Sequence, residues 1–116
     1  MHISLSNGEL KCEKCVFSPG EKIDSLKTAL SDKMELWTSN ENWRIYRWVV
    51  SDQYILAMFF EYEKLYMIGV YPSDQSDDAI SILLQELGGE GVYDWGKVYP
   101  YNDIKSGSKK VIVQYN

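Results

Sequence analysis

Hydrophobic residues along this chain recur at two spacings, one typical of strands and one typical of helices. Between Leu36 and Pro72 they form three dense runs, separated by short polar breaks, at Trp43–Val50, Tyr54–Phe60 and Leu65–Tyr71. Such breaks are too short for a parallel crossover, so this region is predicted to be an antiparallel meander of three or four strands. The run Tyr54–Phe60 is apolar on both faces, which predicts a central strand beneath a helix.

Two further stretches have helical spacing. The residues Ser18-Pro19-Gly20-Glu21 offer an N-cap serine, a proline at the first helical position and a glutamate at the third, which predicts a first helix over about Pro19–Asp32. A second helix is predicted between an N-cap at Ser76 and the pair Gly88-Gly89. The apolar positions at helical spacing are Ile23, Leu26 and Leu30 in the first helix and Ile80, Leu83, Leu84 and Leu87 in the second.

The N-terminal residues have the pattern of a hairpin. The pair Asn7-Gly8 is typical of a type I′ turn, and that turn would pair Leu5 with Leu10 and Ile3 with Cys12. These four side chains would then share one apolar face, with His2 on the other face.

The C-terminal residues complete the predicted fold. Two more strands are expected at about Trp95–Tyr99 and Lys110–Tyr115, separated by turn-prone residues. The predicted order is ββα, three or four strands, α, ββ. We therefore expect one α+β domain over residues 1–116, with a single antiparallel sheet of about six strands and two covering helices.

Composition indicates a globular protein, and the charge distribution limits the classes of molecule that it is expected to bind. Hydrophobic residues make up 45% of the 116 residues, charged residues 25%, and the net charge is −5. Residues 51–104 contain ten acidic residues against Lys64 and Lys97 alone, a segment charge of −8. Nucleic acids and anionic membranes attract basic proteins, so neither is expected as a partner, whereas a basic protein would be attracted.

The chain also carries signs of its compartment. Its N-terminus lacks a charged region followed by an apolar stretch, and two cysteines are too few for a secreted disulfide scaffold. The longest apolar run, Tyr54–Phe60, is far shorter than the ~20 residues of a membrane helix. We expect a cytoplasmic protein.

Cys12-Glu13-Lys14-Cys15 is the one recognisable short motif. A zinc site needs a second pair of ligands, and the chain adds only His2, which the predicted hairpin places on the opposite face from Cys12. If the strand continues through Cys15, the two Cα atoms lie about 10 Å apart, too far for a disulfide, whereas a turn at Glu13-Lys14 would shorten that distance. We expect no metal, no cofactor and no obligatory disulfide.

Candidate catalytic groups are few. The single histidine is the second residue of the chain, and Gly88–Gly91 lacks the lysine and hydroxyl residue of a phosphate-binding loop. Glu61 and Glu63 lie two residues apart, a spacing that can place both carboxylates on one sheet face, although charged hairpin tips commonly serve solubility. We expect no enzymatic activity, with catalysis by this carboxylate pair as an alternative.

Aromatic residues are the less ordinary feature of the composition. Four tryptophans and nine tyrosines are too many for one small core with satisfied hydroxyl groups, so some rings are expected at the surface. Tyrosine and tryptophan beside acidic groups can bind a basic protein or line a cleft for a small ligand.

Several segments together resemble a known group of proteins. These are the opening strand with Asn7-Gly8, the helix start at Pro19-Gly20, Phe59-Phe60-Glu61, Trp95-Gly96-Lys97-Val98, Asp103-Ile104-Lys105-Ser106-Gly107-Ser108 and Val111-Ile112-Val113. The chain resembles the small acidic α+β immunity proteins of bacterial polymorphic and contact-dependent toxin systems, and orphan products of mobile gene cassettes. The resemblance implies a non-enzymatic inhibitor that covers a toxin's active site.

The favoured hypothesis is therefore an acidic protein-binding module that neutralises a basic, nuclease-like toxin. A cytosolic small-ligand-binding protein with an aromatic cleft is the alternative. The residues expected to steer the partner are Asp74, Asp77, Asp78 and Glu90, and the candidate anchors are Tyr71, Tyr93 and Trp95.

Overall fold

The computed structural model describes residues 1–116 and contains two helices and ten strands. The strands are β1 (His2–Ile3), β2 (Leu10–Cys12), β3 (Cys15–Phe17), β4 (Glu35–Ser39), β5 (Trp43–Val49), β6 (Tyr54–Glu61), β7 (Lys64–Pro72), β8 (Gly91–Tyr93), β9 (Gly96–Asn102) and β10 (Lys109–Tyr115). The helices are α1 (Ile23–Leu30), which continues into a short 3-10 turn at Ser31–Lys33, and α2 (Asp77–Glu86).

The strands form two antiparallel sheets. The small sheet has the order β1-β2-β3, and the large sheet has the order β4-β5-β6-β7-β10-β9-β8. The α+β class is confirmed, but the expected single sheet of about six strands is wrong. The chain reverses direction twice within its first 17 residues, so its three short strands pair with one another and not with the meander.

The first of those reversals differs from the predicted turn. Ile3 pairs with Leu10, and the Ser4 N–H donates a hydrogen bond to the Glu9 carbonyl oxygen at 2.9 Å, which closes a longer loop. Gly8 has a positive φ of +80° but Asn7 does not, so a type I′ turn is not formed. The pairing is shifted by two residues, which keeps Ile3 and Leu10 on the buried face as expected.

The predicted start of the first helix is also wrong. Residues Ser18–Glu21 form a turn in which the Ser18 N–H donates to the Glu21 carboxylate at 2.9 Å. Gly20 has a φ of +71°, and its N–H donates to the Leu65 carbonyl oxygen at 2.9 Å. The backbone that local signals assign to a helix therefore pairs with β7, and α1 begins only at Ile23.

The meander is confirmed, and β6 lies between β5 and β7 as predicted. One face of β6 buries Leu56, Met58 and Phe60 completely or almost completely. The other face carries no helix, and Ile55 and Phe59 there are half-buried.

The second helix follows its sequence signals. The Ser76 side chain accepts a hydrogen bond from the Ala79 N–H at 3.1 Å, which caps α2. The chain leaves the helix through Gly88 and Gly89, both with positive φ. Neither helix has the length and apolar character that crossing a membrane would require.

One continuous core joins the small sheet, both helices and one face of the large sheet. Phe17 of the small sheet lies against Trp48 of β5, with ring centroids 6.4 Å apart. The Tyr115 hydroxyl donates to the Gly8 carbonyl oxygen at 2.8 Å, which fixes the N-terminal loop to β10. All covering elements thus lie on one side of the large sheet, and the opposite side is left without a covering layer.

Candidate protein-binding surfaces

Three of the predicted acidic residues lie together around the start of α2. Asp77 and Asp78 occupy its first turn, and Asp74 lies in the loop before it, where its carboxylate accepts a hydrogen bond from the Ser76 N–H at 2.9 Å. The Asp77 carboxylate accepts a hydrogen bond from Lys109 Nζ at 2.7 Å. These side chains are exposed, so their charges face solvent.

Hydrogen bonding keeps two of these carboxylates ionised. The pKa of Asp74 is lowered mainly by the bond from the Ser76 backbone, and the pKa of Asp77 is lowered mainly by the bond from Lys109. Their negative charge therefore persists below the pH at which ordinary aspartates are protonated.

An open groove runs beside this helix start, and we call it the acidic groove. It has a volume of about 400 Å³, and its lining includes three carboxylates, of Asp52, Asp74 and Asp78, and the apolar surfaces of Tyr54, Pro72 and Ile82. The Ser73 N–H donates to the Gln53 carbonyl oxygen at 2.8 Å, which holds the two loops of the groove together. Carboxylates above an apolar floor suit a lysine or arginine side chain, whose stem is apolar and whose head is charged.

Sequence reasoning missed half of this groove. Asp52 lies in the β5–β6 turn and Tyr54 begins β6, 22 and 20 residues before Asp74, and they reach the groove because Tyr54 pairs with Pro72. Ile82 is 58% exposed on α2, and its position four residues after Asp78 is the one local signal that links it to the acidic helix start.

The other predicted residues lie elsewhere. Glu90 follows the opposite end of α2, a helix of about 15 Å. Tyr93 stacks on Trp95 with ring centroids 5.1 Å apart, and Trp95 itself is buried and donates its Nε1–H to the Leu5 carbonyl oxygen at 3.0 Å. The structure contradicts the expectation that Trp95 is a surface anchor, since its ring fills the space above Gly8.

Tyr71 is separated from the acidic residues by the thickness of the sheet. Its side chain lies on the uncovered side, where Lys110 Nζ donates to its hydroxyl oxygen at 2.7 Å and lies 4.8 Å from its ring centroid. The seven predicted site residues therefore do not form one surface.

The uncovered side of the large sheet, which we call the open face, is a second candidate surface. Its aromatic residues are Trp37, Trp43, Phe59, Tyr71, Tyr99 and Tyr101. Ala57 and Ile112 on this face are buried although neither belongs to the main core cluster. The alternation along β5 indicates this division, because Trp43 and Ile45 occupy the face opposite to Tyr46 and Trp48.

The rings on the open face lie across small residues. A Cβ atom at Gly69 would come within 3.2 Å of the Tyr71 ring and 3.7 Å of the Phe59 ring, so the absent side chain leaves room for both. Trp37, on the edge strand β4, meets Tyr71 edge-on with ring centroids 6.4 Å apart. The face is thus a layer of packed rings with one side toward solvent.

Charges on the open face are divided between its two halves. On the β4–β6 half, Glu35 forms an ion pair with Arg47 at 3.0 Å, and Glu61 is exposed. On the β10–β9 half, Lys97 Nζ lies 5.3 Å from the Tyr99 ring centroid, and Lys110 contacts tyrosine rings. Neither lysine forms an ion pair with a carboxylate.

The other candidates for chemistry are the two cysteines and the pair Glu61 and Glu63, and the candidate cleft for a small ligand is the largest groove. A turn does form at Glu13-Lys14, so Cys12 and Cys15 are directly paired neighbours, both buried and both free thiols. Glu61 ends β6, while Glu63 lies in the following turn and pairs with Arg44 at 3.4 Å. The largest groove, about 740 Å³, is open and has one aromatic residue, Trp48, in its lining.

Comparisons with known proteins bear on the fold. No protein-family model matches this sequence, and no curated protein matches it at a significant level. The fold is similar to a chain in the solved structure "Rhs1-CT in complex with cognate immunity protein RhsI1", with a TM-score of 0.69 and 8% sequence identity. The similarity covers 100% of this chain and 87% of that chain. At this identity the likeness concerns the fold alone.

Proposed function

We propose that this protein is a non-enzymatic immunity-type protein that binds and neutralises a basic toxin. The observation that carries the proposal is the whole-length likeness of its fold to a chain from a complex between a toxin domain and its immunity protein. The acidic composition and the sequence resemblance to bacterial immunity proteins support the same role.

The acidic groove is the proposed contact for the toxin. Asp52, Asp74 and Asp78 surround an apolar floor, so a lysine or arginine of the toxin can bury its stem while its head meets carboxylates. A nuclease must carry positive charge to hold its own substrate, which makes a nuclease-like toxin suitable for this groove. The exposed acids around it accelerate the encounter by long-range attraction.

The proposal places the cognate toxin domain in a neighbouring gene, and the test is the association rate with such a domain, measured by stopped flow at several salt concentrations. For the variant Asp77→Lys/Asp78→Lys we expect the rate at low salt to fall about 10-fold or more, because steering is reversed at the groove. The difference in rate between the variant and the wild type should shrink at about 1 M salt, where charges more than about 3 Å apart are largely screened from each other.

A matched control variant makes the same change in net charge at positions outside the acidic groove. Asp32→Lys/Glu41→Lys reverses two exposed acids that do not line the acidic groove and should change the rate much less. If the wild-type protein forms no complex with that toxin domain, the proposed function is wrong. If both variants slow association equally, net charge acts without the groove, and the assignment of the contact is wrong.

A further inference from the structure

The open face is a large apolar surface that the proposed toxin contact does not use. Val92 is 85% exposed and Trp37 is 53% exposed at its two edges, on β8 and β4. Exposed apolar side chains on one face commonly mark a protein interface. Its two lysines also make the face a poor match for a basic partner.

The distribution of charge on the face is self-complementary. The large sheet has seven strands, and β7 is the central one. Glu61 and the ion pair of Glu35 with Arg47 lie on the β4–β6 side of β7 and leave that side with one net negative charge. Lys97 and Lys110 lie on the β10–β9 side. A rotation by half a turn about an axis along β7 places the acidic side of one copy over the lysine side of another.

We propose that a second copy of this chain packs on the open face, related by a two-fold axis along β7. The dimer is a sandwich of two large sheets packed face to face, with the helices of both copies on the outside. The acidic groove lies on the helix side of each copy and remains free, so the dimer does not depend on the proposed function.

The register of the sheet shows which side chains meet in such a pair. One row across the sheet joins Arg47, Ala57, Gly69, Ile112 and Tyr99. Ala57, Gly69 and Ile112 are already covered by the rings of their own copy, so the exposed side chains of the flanking rows make the contact. Rotation about β7 sets Val49, 56% exposed, over Tyr101 of the second copy, 46% exposed. It sets Arg47 against Tyr99 of the second copy, where a guanidinium can stack on the ring.

Charged groups at the margins also meet their opposites. The neighbouring row joins Ile45 of β5 with Phe59 and extends to Lys97 of β9. In the rotated copy, Lys97 lies over β5, between Glu35 on β4 and Glu61 on β6. Each two-fold contact is made twice, so a single favourable pairing contributes on both sides of the axis.

The face is large enough for a specific interface between two copies. Seven strands spaced about 4.8 Å apart and about 20 Å long give a face of roughly 650 Å² per copy, or about 1,300 Å² for the pair. Specific interfaces of standard size begin at about 1,200 Å².

Sedimentation equilibrium of the full chain tests the dimer. We expect the mass to rise from 13.5 kDa toward twice that value as the concentration increases to about 0.5 mM. Trp37→Lys places a charge where the Trp37 ring reaches Tyr71 of β7, and Val92→Lys places one at the β8 edge; each should weaken the dimer about 10-fold or more. Ile82→Lys, on an exposed residue of α2, is the matched control and should leave the dimer unchanged.

Exchanging two charges tests whether the dimer has the proposed geometry or arises from nonspecific hydrophobic association. Lys97→Glu and Glu61→Lys should each weaken the dimer, while the double exchange should restore most of the loss, because the two positions meet across the axis. Both residues are exposed, and a circular dichroism spectrum confirms that each variant is folded.

Three results would overturn the proposal. If the wild-type chain stays monomeric at about 0.5 mM, the open face is covered by a different protein or faces solvent, and the proposed dimer is wrong. A dimer that is lost in Ile82→Lys and kept in Trp37→Lys uses another surface. A dimer that the double exchange fails to restore has a different relative orientation.

Discussion

Single residues matter most where backbones approach closely, and Gly96 is the clearest case. It begins β9 and pairs with Tyr115, and a Cβ atom there would overlap the Gln114 carbonyl oxygen and approach the Tyr115 Cα atom at 3.0 Å. Backbone atoms inside a paired strand cannot move away as a flexible side chain can. Hydrophobicity and spacing do not reveal such a position, because the obstacle belongs to a residue 18 positions away.

We expect Gly96→Ala to lower the free energy of unfolding by about 3 kcal/mol or more, in the range of severe overpacking. Gly107→Ala is the control, since Gly107 also has a positive φ but has no atom within 4 Å of its Cβ position. That variant should lose about 1 kcal/mol from backbone strain alone. Urea titration measures both, and similar losses would show that the backbone overlap at Gly96 is relieved at little cost.

At the scale of elements, β6 shows what an apolar run can and cannot specify. Its position between β5 and β7 was predicted from its composition and is confirmed. Only one of its two apolar faces lies under the helices and the small sheet, because these elements all pack on the same side of the large sheet. Phe60 is 1% exposed in the core, whereas Phe59 lies half-buried on the open face against Tyr66.

The two phenylalanines should therefore differ in their contribution to stability. Phe60→Ala is expected to cost about 3 to 5 kcal/mol, the range for emptying a packed core site. Phe59→Ala should cost about 1 to 2 kcal/mol, because part of its area already faces solvent. Both values come from urea titration at low protein concentration, where self-association contributes little. Equal losses would mean that the two faces of β6 are equally covered.

At the scale of the whole molecule, the large sheet separates two kinds of chemistry. The acidic groove and the start of α2 lie on the helix side, and the layer of rings with its lysines lies on the open side. Sequence reasoning placed Tyr71 in one interface with the acidic residues because they are close along the chain, whereas the sheet separates them.

The free energy of unfolding is expected to depend on pH in the alkaline range, because buried cysteine and tyrosine side chains hold their protons more tightly in the folded chain. Burial is the main cause that raises the pKa of the Cys15 thiol from 9.0 to about 11, with smaller contributions from Glu21 and Cys12. Burial also raises the pKa of Cys12 and of Tyr115. The folded chain therefore holds these protons more tightly than the unfolded chain does.

It follows that the free energy of unfolding is retained below about pH 9 and falls as the pH rises from 9 through 11 and beyond, since the unfolded chain releases protons first. The urea midpoint should be constant between pH 7 and 8.5 and decrease by pH 10.5. Cys15→Ala removes one of the groups and should flatten the decrease. An equal midpoint at pH 8 and 10.5 would contradict the protection of these groups.

The sequence by itself determined those elements whose signals lie within a few residues. The second helix begins at its Ser76 cap and ends before Gly88, because capping and helix termination are local interactions. The meander followed from short breaks and strand-forming residues for the same reason. The acidic character around Asp77 and Asp78 was equally visible, since exposed charges need no tertiary partner.

The tertiary structure decided everything that depends on contacts between distant residues. Gly20 lies in a turn and not at a helix start, because its backbone N–H donates a hydrogen bond to the Leu65 carbonyl oxygen. Asp52 joined Asp74 in a groove, and Trp95 entered the interior, through strand pairing and packing that no local pattern records. Which face of the large sheet would stay open was settled in the same way, because alternation defines two faces but only packing chooses the one that is covered.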